Sequence, residues 1–239
     1  MMDATASPDE IRQALLKAAL AHVPFDGWSK ATFDAAIIDA AIIDAGIDVA
    51  DAQAACPGGA LDLAVAFHQA GDAKMRAQME AADLEAMKIR ERVAFAVRSR
   101  LEAVPDKEVV RRGMALFALP QNAATGARLI WGTADAIWEA LGDPSNDINW
   151  YSKRAILSGV YSSTVLFWLG DESPDHAATW AFLDRRIEDV MQFEKLKAQV
   201  RGNALLKGLF AGPDWLLSRV RAPGRAARTD LPGRWTGDI

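Results

Sequence analysis

Apolar residues recur at three- and four-residue spacing along almost the whole chain, and no stretch alternates apolar and polar residues as a half-buried strand does. That pattern restricts the fold to helices packed on helices. The punctuation is just as regular. Ser7-Pro8-Asp9-Glu10 reads as a helix start, with Ser7 as cap and Pro8 at the first helical position. The first helix is expected to reach about His22, before Pro24, and Ser29 caps a second that runs to about Ala45 and stops at Gly46. A short helix over 49–55 meets Cys56-Pro57-Gly58-Gly59. Helices are expected over 60–70 and, as one long element, over 74–104, where Pro105 ends it. Segments 106–119, 121–141, 147–169 and 174–200 follow, and the tail from Arg201 holds one more amphipathic stretch. The expected organisation is a helix-turn-helix-like part over 7–70, a second helical part over 71–200, and a tail over 201–239.

A chain of 239 residues, 51% hydrophobic and 25% charged, can close one large helical core. The net charge of −5 argues against a nucleic-acid binder. The single cysteine, Cys56, excludes an intrachain disulfide and reads as an inert packing group in a reducing compartment. Residues 1–10 are acidic and lack an apolar stretch, which fits neither a secretory signal nor an Arg-rich transit peptide. The expectation is a bacterial cytoplasmic protein. The longest apolar run, 155–170, contains Ser158, Ser162, Ser163 and Thr164 and is shorter than the roughly 18 to 20 residues that span a bilayer, so it reads as a buried helix.

Residues 35–44 repeat A-A-I-I-D twice. Five residues turn a helix by about 140°, so the copies face differently and burial on two sides is expected. This helix, the turn after it and the short helix over 49–55 have the outline of a helix-turn-helix. A DNA reader needs Lys and Arg for phosphates and polar side chains for bases. From Ala31 to Gln69 there is no Lys or Arg, and the stretch holds Asp34, Asp39, Asp44, Asp48, Asp51 and Asp62. The hairpin therefore reads as structural.

Aromatic residues cluster downstream. Trp150, Arg154 and Leu157 share a helix face, as do Asp147, Tyr151 and Arg154, so Arg154 can stack on Trp150 or pair with Asp147. Such a cluster can anchor an interface. It can equally be a tryptophan half-buried in its own domain beside a solvated arginine, and composition alone favours the second. Trp131, Asp135 and Trp138 form one stripe, and Leu157, Tyr161, Val165 and Trp168 another. Either can line a lipid cavity or simply be core. His22, His68 and His176 lie far apart, none three residues after a Glu, and no phosphate loop, dinucleotide fingerprint or nucleophile elbow is present.

The segment N-W-Y-S-K-R at 149–154, the aromatic run after it, D-E-S-P at 171–174 and T-W-A-F-L-D-R-R at 179–186 resemble a known family. It is the lipid-binding accessory family of ubiquinone biosynthesis, the ninth protein of the coenzyme Q pathway and its alphaproteobacterial relatives. H-V-P-F-D-G-W at 22–28, C-P-G-G at 56–59 and T-A-D-A-I-W at 133–138 are similar to it too, although Cys56 stands where an aromatic is expected. The resemblance implies an all-α, TetR-repressor-like bundle of about nine to ten helices, usually dimeric. It implies no catalytic activity, cofactor or metal, a pocket for an isoprenoid lipid or quinone intermediate, and a di-iron hydroxylase as partner. Trp150, Tyr151 and Arg154 match the partner-binding motif, and Asp147, on the same helix face, is a candidate with them. Trp131, Trp138, Leu157, Tyr161, Val165 and Trp168 are the candidate lipid contacts. A TetR-type regulator with a small-molecule pocket is the alternative. In the tail, Leu205, Leu206, Leu209, Phe210, Leu216 and Leu217 recur at helical spacing. Between 197 and 228 seven basic residues face one acidic one. This segment reads as a membrane-surface anchor, or as a face that docks on its own domain.

Overall fold

A computed structural model of the chain describes residues 6–43, 47–202 and 221–223. Among them are ten α-helices: α1 (Pro8–Ala19), α2 (Val23–Asp26), α3 (Lys30–Ile43), α4 (Val49–Ala55), α5 (Ala60–Ala81), α6 (Ile89–Glu102), α7 (Lys107–Ala118), α8 (Ala123–Ala140), α9 (Ile148–Leu169) and α10 (Ala177–Gly202). Among the described residues no helix is long and apolar enough to cross a membrane. Helix starts follow local caps. Ser7 and Glu10 close a capping box on α1, Asp106 accepts from Glu108 N at 2.8 Å to open α7, and Asp147 accepts from Asn149 N at 2.9 Å to open α9.

Two boundaries differ from the sequence expectation. The first helix ends at Ala19, and a separate short helix, α2, carries Val23-Pro24-Phe25-Asp26. The stretch expected as helices 60–70 and 74–104 is instead divided between 81 and 89. Gly71 does not break α5. A Cβ there would lie 2.5 Å from the Arg100 guanidinium, so glycine serves the approach of α6 and keeps helical geometry. The actual break is held by α6: Lys88 N donates to Glu91 Oε2 at 2.9 Å, and Arg92 Nε donates to the Met87 carbonyl at 2.9 Å.

Two apolar cores result. The first gathers α1, α3, α4 and the start of α5, with Leu15, Ala36, Ala52 and Leu63 fully inside. The second gathers the end of α5 with α6, α8, α9 and α10 around Met75, Val97, Ile137 and Leu183. Helix α5, about 33 Å long at 1.5 Å per residue, is the beam common to both. Among the described residues the doubled A-A-I-I-D segment is buried on one side only. Ala36, Ile37 and Ala40 lie in the first core, whereas Ile38 is 62% and Ile42 77% exposed. Cys56 is buried, and burial pushes its thiol above the ordinary range, as suits a packing residue.

Candidate functional site

Where the two cores meet, α5, α6, α7, α8 and α9 leave a cavity of about 360 Å³. Trp28, Ala64 and Val109 reach it from the first core and Leu101, Tyr161 and Val165 from the second. Its apolar wall is completed by Val110, Met114 and Phe117 of α7. Gly126 lets α8 approach α7, since a Cβ there would lie 2.8 Å from Phe117 Cβ. At Leu166, 60% exposed, the lining reaches the surface.

One wall is polar. His68 Nε2 lies 2.8 Å from Thr133 Oγ1, which lies 2.9 Å from Asp72 Oδ1, and Arg100 Nε donates to that same oxygen at 2.7 Å. Arg100 Nη2 also donates to the His68 carbonyl at 3.1 Å. The threonine hydroxyl has one proton, for which the Asp72 carboxylate and the Leu129 carbonyl are the acceptors, so His68 donates to it through Nε2 as a neutral imidazole. Burial, reinforced by the Arg100 charge, lowers the His68 pKa to about 4. His68 and Arg100 line the cavity.

A second feature lies on the surface of α8 and α9. The rings of Trp131, Trp150 and Tyr151 are mutually in contact, with centroids 4.8 to 6.4 Å apart. Arg154 stacks beneath Trp150, its guanidinium carbon 3.9 Å from the ring centroid. Arg154 does not pair with Asp147, which caps α9. Its Nε meets Asp135 at 2.5 Å and its Nη1 meets Asp143 at 3.1 Å, and it is 2% exposed. The arginine is thus an internal strut beneath the half-buried Trp150. Burial alone would raise the Asp143 carboxyl, but hydrogen bonds from Lys153, Ser145 and Arg154 hold it down to about 2. Residues 221–223 return to this face: Tyr151 Oη donates to the Arg221 carbonyl at 3.2 Å, and Ala222 N donates to the Asn146 carbonyl at 2.9 Å.

The six lipid-contact candidates separate. Tyr161 and Val165 line the large cavity. Leu157 and Trp138 line a smaller apolar one of about 250 Å³ between α6, α9 and α10. Trp131 belongs to the surface cluster, and Trp168 is core, with Lys107 Nζ 5.1 Å above its ring. The α7 side of the large cavity and its polar wall went unmarked in the sequence. Small and large apolar residues on one face of α7, Gly113 among them, were the available signal. The tail residues Leu205, Leu206, Leu209, Phe210, Leu216 and Leu217 lie outside the described residues. D-E-S-P is a cap: Asp171 accepts from Ser173 N at 2.8 Å and Thr179 N at 2.9 Å, and hydrogen bonds from the Ser173 and Thr179 side chains, with these backbone bonds, hold its carboxyl well below the usual range. Among the described residues no group of three or more His, Cys, Asp or Glu side chains is placed to hold a metal ion.

Residues 123–194 match the COQ9 family model, which covers α8, α9 and most of α10. The chain is 33% identical over 213 residues to the mitochondrial ubiquinone biosynthesis protein COQ9 of Rattus norvegicus, covering 85% of this chain and 66% of the rat protein. It is 33% identical over 202 residues to the Drosophila melanogaster COQ9, covering 82% and 60%, and 38% identical over 117 residues to the human one, covering 48% and 37%. The chain therefore spans 66% or less of the length of these curated relatives. Among solved structures, a TetR transcriptional regulator from Nitrosomonas europaea superposes with a TM-score of 0.59 at 19% identity, covering 74% of this chain and 96% of that one. The fold is TetR-like.

Proposed function

The chain belongs to the COQ9 family of ubiquinone biosynthesis proteins, and from that premise we propose that it is a non-catalytic accessory protein that carries an isoprenoid quinone intermediate. The observation that carries the reading is the cavity at the junction of the two cores. It is apolar over most of its wall, has a few convergent polar groups and opens beside Leu166. Its volume of about 360 Å³ is at the lower end of the roughly 300–1,000 Å³ of small-molecule pockets, so it suits a ring with a short stretch of chain. A longer isoprenoid tail leaves through the mouth.

In this reading Trp131, Trp150 and Tyr151 form the docking face for the di-iron hydroxylase that modifies the bound ring, with Asp147 and Arg154 fixing its geometry. The helix-turn-helix-like part is structural. The exposed face of α4 presents Val49, Ala50, Asp51, Gln53 and Ala54, with no cation to meet a phosphate. That favours the carrier over a transcriptional regulator. Delivery takes place at the membrane surface, with the basic, leucine-rich segment 203–221 as the anchor and a homodimer as the carrier unit. The site of action is the cytoplasmic face of the bacterial inner membrane.

The test is co-elution of purified full-length protein with the hydroxylase. Wild type is expected to form a complex, and Trp150→Ala to lose it while melting like wild type. Equal complex formation by both proteins removes the docking face from the account. Flotation with anionic vesicles, comparing the full chain with one ending at Val200, tests the anchor. Equal flotation by both contradicts it.

A further inference from the structure

Residues 221–223 bring the chain back onto the start of α9. Tyr151 Oη donates to the Arg221 carbonyl at 3.2 Å, and Ala222 N donates to the Asn146 carbonyl at 2.9 Å, just before the Asp147 cap. Arg221-Ala222-Pro223 is thus held on both sides of that cap. Ala222 is half-buried there, and Arg221 and Pro223 are exposed. Pro223 prepares the strap. Its ring fixes its own φ and keeps Ala222 out of the helical region, so little conformational freedom is lost in seating it.

Tyr151 is also a member of the aromatic cluster. Its ring meets Trp150 edge-on with centroids 4.8 Å apart and lies 6.4 Å from Trp131. The phenol has a single proton, and the strap takes it. A partner that packs on Trp150 and Tyr151 and accepts from that hydroxyl competes for the same proton, with the strap standing beside it. Strap and partner therefore exclude one another.

We propose that residues 221–223 are an autoinhibitory strap. They occupy the docking face of α9 in the free protein, and the hydroxylase binds by displacing them, with an acceptor of its own in the place of the Arg221 carbonyl. This rests on reading Trp131, Trp150 and Tyr151 as the docking face, and it adds that the face is covered before the partner arrives. The Tyr151 bond lies at the surface, so the strap weakens the partner by a modest factor, roughly three- to tenfold.

The experiment is calorimetric titration of the full-length protein with the hydroxylase, without vesicles. Ala222→Pro removes the amide that bonds Asn146 and alters none of the three rings. It is expected to bind roughly three- to tenfold more tightly than wild type. In wild type, hydrogen exchange at the Ala222 amide should be slow in the free protein and fast in the complex. Unchanged or weaker binding by Ala222→Pro, an amide that exchanges fast in the free protein, or one that stays slow in the complex overturns the proposal. If Trp150→Ala still loses the hydroxylase in that case, the docking face stands without its strap. If Trp150→Ala binds as wild type does, the docking face falls and the proposal with it. Should Ala222→Pro fail to melt cooperatively, hydrogen exchange in wild type decides alone.

Discussion

The face presented by α3 and α4 and the face presented by α8 and α9 belong to one fold and carry different chemistry. On the first, Ile38, Ile42 and Val49 are exposed, aspartates follow one another, and no Lys or Arg occurs from 31 to 69. On the second, a buried arginine paired with two carboxylates holds a tryptophan against a second tryptophan and a tyrosine. The hairpin persists because its inner side is indispensable: Ile37, Ala40, Ala52 and Ala55 close the first core. The architecture is thus retained by what it buries, whereas function follows from what a face or cavity presents.

That contrast can be broken at its strongest point. Removing Arg154 leaves the Asp143 side chain, 0% exposed, without one of its two cationic partners, so Arg154→Ala should cost about 3 to 5 kcal/mol in denaturant unfolding. A loss under roughly 1 kcal/mol would mean that the strut is solvated and the two faces are alike. The seam between the cores gives the next effect. The His68 pKa is lowered from 6.5 to about 4, so the folded state disfavours its protonation. Its contribution to stability is therefore present above about pH 6.5 and is lost as pH falls towards 4, in total about 3 kcal/mol at 1.36 kcal/mol per unit. His68→Gln should flatten that part of the stability–pH profile. An unchanged slope between pH 6.5 and 4 contradicts the buried neutral histidine.

Smaller effects sharpen the comparison. Trp150→Ala should weaken hydroxylase binding by about 2 kcal/mol, measured by calorimetry, and leave thermal unfolding near wild type. If it unfolds the protein instead, the aromatic cluster is core and the α8–α9 face has no docking role. Ile38→Ser, on the opposite face, should change stability by less than about 0.5 kcal/mol. A larger loss would show that α3 is covered on both sides, as its doubled repeat had suggested.

Local chemistry made much of this readable in the sequence. The starts of α1, α7 and α9 were visible because Ser7, Asp106 and Asp147 cap within three residues of themselves. The stripe Trp131, Asp135, Trp138 was visible as periodicity, and all three engage α9: Trp131 through Trp150, Asp135 through Arg154, and Trp138 Nε1 through the Lys153 carbonyl at 3.1 Å. What stayed hidden depends on long-range contact. Gly71 looked like a helix end, yet it answers a guanidinium 29 positions away. Arg154 could stack on Trp150 or pair with Asp147 along its own helix; it stacks, and its carboxylates come instead from α8 and from the loop after it. Segment 106–119 offered helical spacing and nothing more, and only the folded arrangement shows space beside α7.

The central claim is that the space between the two cores is a ligand site, and extraction of purified protein tests it most directly. Gly113 lines the cavity, and a Cβ there would sit 3.6 Å from Trp28 Nε1, an ordinary contact, so Gly113→Leu can fill the space without forcing the helices apart. Mass spectrometry of organic extracts should find isoprenoid quinone or quinone intermediate co-purifying with wild type and strongly depleted from Gly113→Leu, both proteins melting cooperatively. Clean extracts from wild type, or equal lipid in the two proteins, would contradict the account.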